Sequence, residues 1–256
     1  AKSAKTDPLV MEIDAIQLED YAKDPAASLA KLEALSKRVE AAGKRVSAVK
    51  RAELRSAYAS AYFYLQDYAR SVAASDAAIA MMRAAGVDDA SPTLRDMQKN
   101  RATMLVKVGR MDEALPVFDM LRQRYLARNE KRTQRYVSLM NEVAVVNFMN
   151  GRYVEAEAAM GEATVIAREL EGEVMPQQVA LFWQNWASIL GELGQLGRAI
   201  EESQAVAKYA EYKLGPKHTT TAIAFHTLGT RLQDAGRYAE SEAVLRRALE
   251  MRLAML

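Results

Sequence analysis

Cysteine is absent from all 256 residues. No disulfide, thiol nucleophile or thiolate metal site can therefore form. Histidine is scarce: His218 and His226 are the only two, eight positions apart, and a metal site built on them would have to recruit carboxylates from elsewhere. The six prolines and twelve glycines are too few for a loop-rich chain, and β-branched runs are no longer than the three threonines Thr219 to Thr221. Long apolar runs are missing. The longest, Ala77 to Met82, is six residues, where a membrane span needs about 20. Nor does one sign of charge prevail. Thirty-five Lys and Arg stand against 33 Asp and Glu, so no global field points to nucleic acid or a membrane as partner. No G-x-G-x-x-G, P-loop or G-x-S-x-G occurs. These absences lead us to expect no enzyme activity, no cofactor and no metal. They leave the compartment open: cytoplasm, or periplasm if a signal peptide has been removed ahead of Ala1.

What is present is helix-forming. Half the residues are hydrophobic and alanine is abundant, which is all-α composition. The clearest organisation lies in Leu214 to Arg252. Ile223, Phe225, Leu228, Leu232 and Ala235 recur at steps of two to four and form one helical stripe. Gly236-Arg237 breaks that helix, since glycine accepts the left-handed conformation that ends many helices. Tyr238 opens a second helix, with Ser241, Val244, Leu245, Ala248 and Leu249 on its inner side. Gly215-Pro216 separates the unit from what precedes it, and Thr219 is the expected N-cap. Gly229 and Ser241 fall where two antiparallel helices would cross, and small side chains there let the axes approach.

The unit recurs. Its turn at Gly236 has equivalents 42, 43, 42 and 43 residues apart at Gly194, Gly151, Gly109 and Gln66. The residue seven before each turn is Ala59, Ala102, Ala144, Ala187 or Gly229. The residue five after is Ser71, Ala114, Ala156, Ala199 or Ser241. Ten small residues in ten slots is not chance where about a quarter of the chain is Ala, Gly or Ser. Five repeats therefore fill residues 46–256. Residues 1–45 supply two further helices, Leu9 to Tyr21 and Ala26 to Ala42, after a frayed start. Their crossing slots fall on Gln17 and Leu29, so this pair is a degenerate repeat or N-terminal cap. The whole is expected to be a single continuous α-solenoid of about six helical pairs.

Leu228, Gly229, Leu232, Gly236, Tyr238, Ser241, Leu245 and Ala248 resemble the tetratricopeptide repeat. The Leu214-Gly215-Pro216-Lys217-His218 flank and the long period are similar to the kinesin-light-chain-like variety found in many bacterial proteins. That resemblance implies a non-enzymatic scaffold whose first helices line a concave peptide-binding groove. Mapped on each repeat, the groove residues include Phe63 and Tyr64, then Lys99 and Thr103. The next repeats contribute Asn141, Val145 and Phe148, then Gln184 and Ser188, and finally His226 and Thr230. The Lys/Asn set that clamps C-terminal carboxylates in some members is not reproduced. Phe63, Tyr64, Phe148 and Met149 are costly to expose unless something covers them.

Two other functions follow from the same resemblance. The chain could be the sensor part of a larger bacterial protein, such as one carrying a CHAT caspase-like cysteine protease, or a peptide-signal sensor. Arg122 to Arg135 holds six basic residues against Glu130 alone, either an anion patch or an ordinary solvated face. Tyr125 is the single aromatic within it, which speaks against nucleic acid. Arg101 stands where the motif usually has an apolar residue. Finally, Leu245, Leu249, Leu253, Met255 and Leu256 leave an apolar face on the last helix. Capping helices of repeat proteins are polar outside, so continuation past Leu256 or self-association through this helix is expected.

Overall fold

The computed structural model describes residues 7–170 and 172–255; most of the frayed start, and Leu256 of the apolar C-terminal set, lie outside the described residues. The described residues form twelve α-helices and one short 3₁₀ turn, with no strand. The chain divides into two compact units, residues 1–121 and 122–256.

The first unit holds α1 (Pro8–Ile16), α2 (Pro25–Ala41), α3 (Ala48–Tyr64), α4 (Tyr68–Ala84) and α5 (Pro92–Lys107). The division falls within α6 (Met111–Ala127). The second unit holds α7 (Gln134–Met149), α8 (Tyr153–Glu169), α9 (Pro176–Glu192), α10 (Leu196–Leu214), α11 (Thr219–Asp234) and α12 (Tyr238–Leu253). Helices α3 and α4, α7 and α8, α9 and α10, and α11 and α12 pack as hairpins. Within the second unit each pair also packs on the next, α8 against α9 and α10 against α11.

The small-residue slots do what their spacing requires. All ten are buried. In two repeats the second-helix slot is a serine with a further role. Ser71 Oγ donates to the Ala59 carbonyl and Ser241 Oγ to the Gly229 carbonyl, each at 2.7 Å. These hydroxyls clamp the crossing point and are themselves satisfied in a dry interior. Gly229 is the tightest slot, since a Cβ added there would lie 2.5 Å from Cδ2 of Leu245.

The turns are equally regular. Gly109, Gly151, Gly194 and Gly236 all have positive φ, and so does Gln66, at 60°. Each turn is closed by the same bond pair. For Gly236, Arg237 N–H donates to the Leu232 carbonyl and Gly236 N–H to the Gln233 carbonyl, each at 2.9 Å. This arrangement satisfies helix-end carbonyls that would otherwise be orphaned.

Two local expectations need correction. The N-cap of α11 is His218, not Thr219: His218 Nδ1 accepts from Thr220 N–H at 3.1 Å. The first helix also stops at Ile16 instead of reaching Tyr21. Tyr21 folds back, is buried, and its hydroxyl donates to the Ile16 carbonyl at 2.7 Å. That bond takes up a C-terminal carbonyl that a longer helix would have paired. Burial, reinforced by the nearby Glu19 carboxylate, pushes the Tyr21 phenol up to about 12. At the crossing slots of this pair, Gln17 is exposed and Leu29 half-buried, so the small-residue rule does not hold here.

Candidate functional site

Most of the residues expected on the first-helix faces are at least partly open. In the first unit, Tyr64 is 47% exposed. Phe63 is half-buried, its ring 5.4 Å from Tyr64 and 5.7 Å from Tyr68 in edge-on contacts. Lys99 and Thr103 on α5 are half-buried, with Thr103 Oγ1 donating to the Lys99 carbonyl at 3.2 Å.

In the second unit the expected residues converge more closely. Val145 and Phe148 of α7 and Ser188 of α9 line one notch, together with Met160 of α8 and Asn185 and Ile189 of α9. Its volume is about 150 Å³, enough for one medium apolar side chain. Phe148 is 36% exposed and leans on Tyr153, with ring centroids 5.3 Å apart, while Met149 beside it is 52% exposed. An aromatic left open at the rim of an apolar notch forms the kind of surface that binding sites use. Asn141, one helical turn before Val145, is half-buried, and its Oδ1 is shielded from solvent with no donor.

Gln184 departs from expectation. It is only 8% exposed, and its Nε2 donates to Thr227 Oγ1 of α11 at 2.8 Å. Its neighbour Asn185 is the exposed residue, so the open face of α9 is turned by one position there. The cause is a partner 43 residues away, one step past the equivalent position in the following repeat. His226 is exposed and Thr230 half-buried, its Oγ1 donating to the His226 carbonyl at 3.1 Å. Sequence reasoning missed Met160 and Asn185 altogether. Met160 belongs to a second helix and read as core.

Arg231 carries a second feature of this face that the sequence did not signal. Its guanidinium lies across Gly191 of α9, where an added Cβ would collide with it. Its charge is met by Asp234 at 3.4 Å and Glu192 at 3.9 Å. Gly191 is therefore a groove floored by glycine for an arginine of the next repeat.

The basic run is met by carboxylates. Lys131 Nζ lies 2.5 Å from Glu162, Arg122 3.9 Å from the same carboxylate, and Tyr136 OH donates to it at 3.1 Å. Arg132 pairs with Glu169 at 3.0 Å and Arg128 with Glu130 at 2.9 Å. The Glu162 carboxylate holds the Lys131 ammonium above its ordinary range, and burial pushes the Tyr136 phenol up. Arg101, on α5, has an ordinary purpose: it pairs with Asp76 of α4. Among the described residues no three His, Asp or Glu converge as a metal cluster, and no helix is long and apolar enough to cross a membrane.

Comparison with known proteins bears on the fold. Residues 178–254 match the tetratricopeptide repeat family model. No curated protein matches the sequence significantly. Among solved structures, the nearly identical TPR-like repeats of a kinesin light chain from Podosopora anserina superpose with a TM-score of 0.72 at 17% identity, covering 81% of this chain and 97% of that one. BtubC (BKLC) from P. vanneervenii gives 0.72 at 17% identity, over 97% of this chain and 92% of the other. NprR in complex with its cognate peptide NprX gives 0.61 at 12% identity, over 94% of this chain but only 65% of that one. This is an all-α helical-repeat fold of tetratricopeptide type, kinesin-light-chain-like in its long repeats.

Proposed function

We propose that the chain is a non-enzymatic scaffold that binds a peptide or protein segment on the first-helix face of its second unit. The observation that carries this reading is the notch between α7 and α9, with Phe148 left open at its edge. An apolar side chain of the bound segment fills the space bounded by Val145, Met160 and Ile189. Phe148 closes over it as the anchor, and Ser188 and Asn185 offer polar contacts at the edge. Helical-repeat surfaces are used in this way, and NprR, a structural relative in fold, is seen with a peptide bound. Capture of a short signal peptide is one form of this reading.

Panning the purified chain against a random peptide display library tests it. Selected peptides should share one apolar anchor residue. Their binding should weaken by roughly 1–3 kcal/mol on Phe148→Ala, and Val145→Trp, which fills the notch, should abolish it. Helical signal should be retained in both variants. Selected binders indifferent to both substitutions would place binding elsewhere.

A further inference from the structure

The outer face of α12 is built differently from the second helices inside the same unit. On α8 and α10 the residues turned toward the next helix are small. Gly161 of α8 lies against the Trp186 ring of α9, which a Cβ would meet at 3.1 Å. The Ala210 carbonyl of α10 accepts from Thr221 Oγ1 of α11 at 3.2 Å. The equivalent positions of α12 carry Arg246 and Arg252. Leu249 stands where α8 has Thr164 and α10 has Ala207. Yet the face is apolar at its centre: Leu249 is 57% and Leu253 58% exposed.

We propose that this face pairs with the α12 of a second copy, antiparallel about a two-fold axis near Leu249. Two features favour that occupant. The first is shape. Glu242, Leu245, Arg246 and Leu249 stand at helical steps i, i+3, i+4 and i+7 and, with Gln233, Tyr238 and Ser241, line a depression of about 410 Å³. Four residues so spaced make the hole that receives a knob in helix pairing. An antiparallel copy centred on Leu249 brings the partner's Leu253 to the level of Leu245 and into that hole. The relation is reciprocal, as an isologous interface requires.

The second feature is charge. Arg246 and Glu250 lie on one flank of the leucine stripe, and a two-fold of this kind keeps flanks on the same side. Arg246 then comes within about 3 Å, along the axis, of the partner's Glu250, and like charges are not opposed. In the single chain Arg246 is held by Glu242 at 2.7 Å in a fully solvated pair, so it can take a second carboxylate at little cost. The helix runs 16 residues, which makes the contact small for a specific interface.

Sedimentation equilibrium of the full chain across the micromolar range tests this. A reversible monomer–dimer equilibrium is expected. Leu249→Glu should leave a monomer with unchanged circular dichroism. Arg246→Glu and Glu250→Arg should each weaken dimerisation by roughly tenfold. An equimolar mixture of these two variants should dimerise again, because both cross-copy pairs are restored only in the mixed dimer. Three results overturn the proposal. One is a monomer at every concentration, as when another segment or protein covers the face. Another is a dimer insensitive to Leu249→Glu. The third is a mixture no better associated than either variant alone.

Discussion

Replacing Gly229 with Ala tests the crossing-point argument at its tightest place. The new Cβ would sit 2.5 Å from Leu245 Cδ2 and 2.6 Å from its Cγ, whereas carbon atoms in contact stay about 3.5–4.0 Å apart. Either Leu245 rotates outward or α11 and α12 separate by about 1 Å. Separation would also stretch the Ser241 bond to the Gly229 carbonyl, which is 2.7 Å long. Overpacking of this size costs about 1–3 kcal/mol, and a weakened bond adds about 0.5–1.5. Against this, alanine gains about 1 kcal/mol over glycine in a helix interior. The net expectation is destabilisation by about 1–2 kcal/mol. The sign should reverse once Leu245 is cut back. In a Leu245→Ala background the obstacle is gone, and Gly229→Ala should be neutral or stabilise by up to about 1 kcal/mol. The α9–α10 repeat already combines a methyl at this slot, Ala187, with the small Ser203 at the position of Leu245, and both are buried. Helical repeats unfold in a graded way, so the readout is native-state hydrogen exchange of α11 and α12 amides, at high dilution to exclude self-association. A coupling below about 0.5 kcal/mol between the two substitutions would refute the reasoning.

Gln66→Gly should stabilise the first unit by roughly 0.5–1 kcal/mol, because it relieves a left-handed residue at a turn where the other repeats use glycine, less the added freedom of the unfolded chain; an unchanged urea midpoint would contradict this. Ser71→Ala should cost about 1 kcal/mol by leaving a crossing-point carbonyl without its donor, measured by thermal unfolding. Tyr21 makes the N-terminal pair sensitive to alkali. Its folded pKa, about 12, lies above the unfolded value of 10, so its contribution is complete below pH 10 and is lost as pH rises towards 12. Tyr21→Phe should flatten the stability slope in that window, and an identical slope in both proteins would show that Tyr21 is not the cause. In binding assays with a selected peptide, Phe63→Ala should matter less than Phe148→Ala, because only Phe148 borders the notch; the opposite order would move the site to the first unit.

The repeat fold was legible because its signals are local and redundant. Each turn needs a residue tolerant of positive φ, and each crossing needs two small side chains twelve residues apart, so the same pair of constraints is written into the chain five times. Where the sequence misled, the deciding partner lay outside the repeat that was being read. Gln184 looked open by its position within one repeat, but Thr227 in the following one draws it inward. For Arg122, Lys131 and Arg132 the sequence left two readings open, because the carboxylates that meet them, Glu162 and Glu169, stand a helix away. The open residues Tyr64, Phe148 and Met149 were legible for a different reason. Periodicity placed them off the buried stripe, and nothing in neighbouring repeats supplies a large side chain to cover them. The notch itself was not legible, because it joins residues of two repeats, Val145 and Phe148 of α7 with Asn185, Ser188 and Ile189 of α9, over Met160 of α8, which is itself fully buried. A binding surface made between repeats is thus fixed by differences between copies, and those differences are what a period, by its nature, averages away.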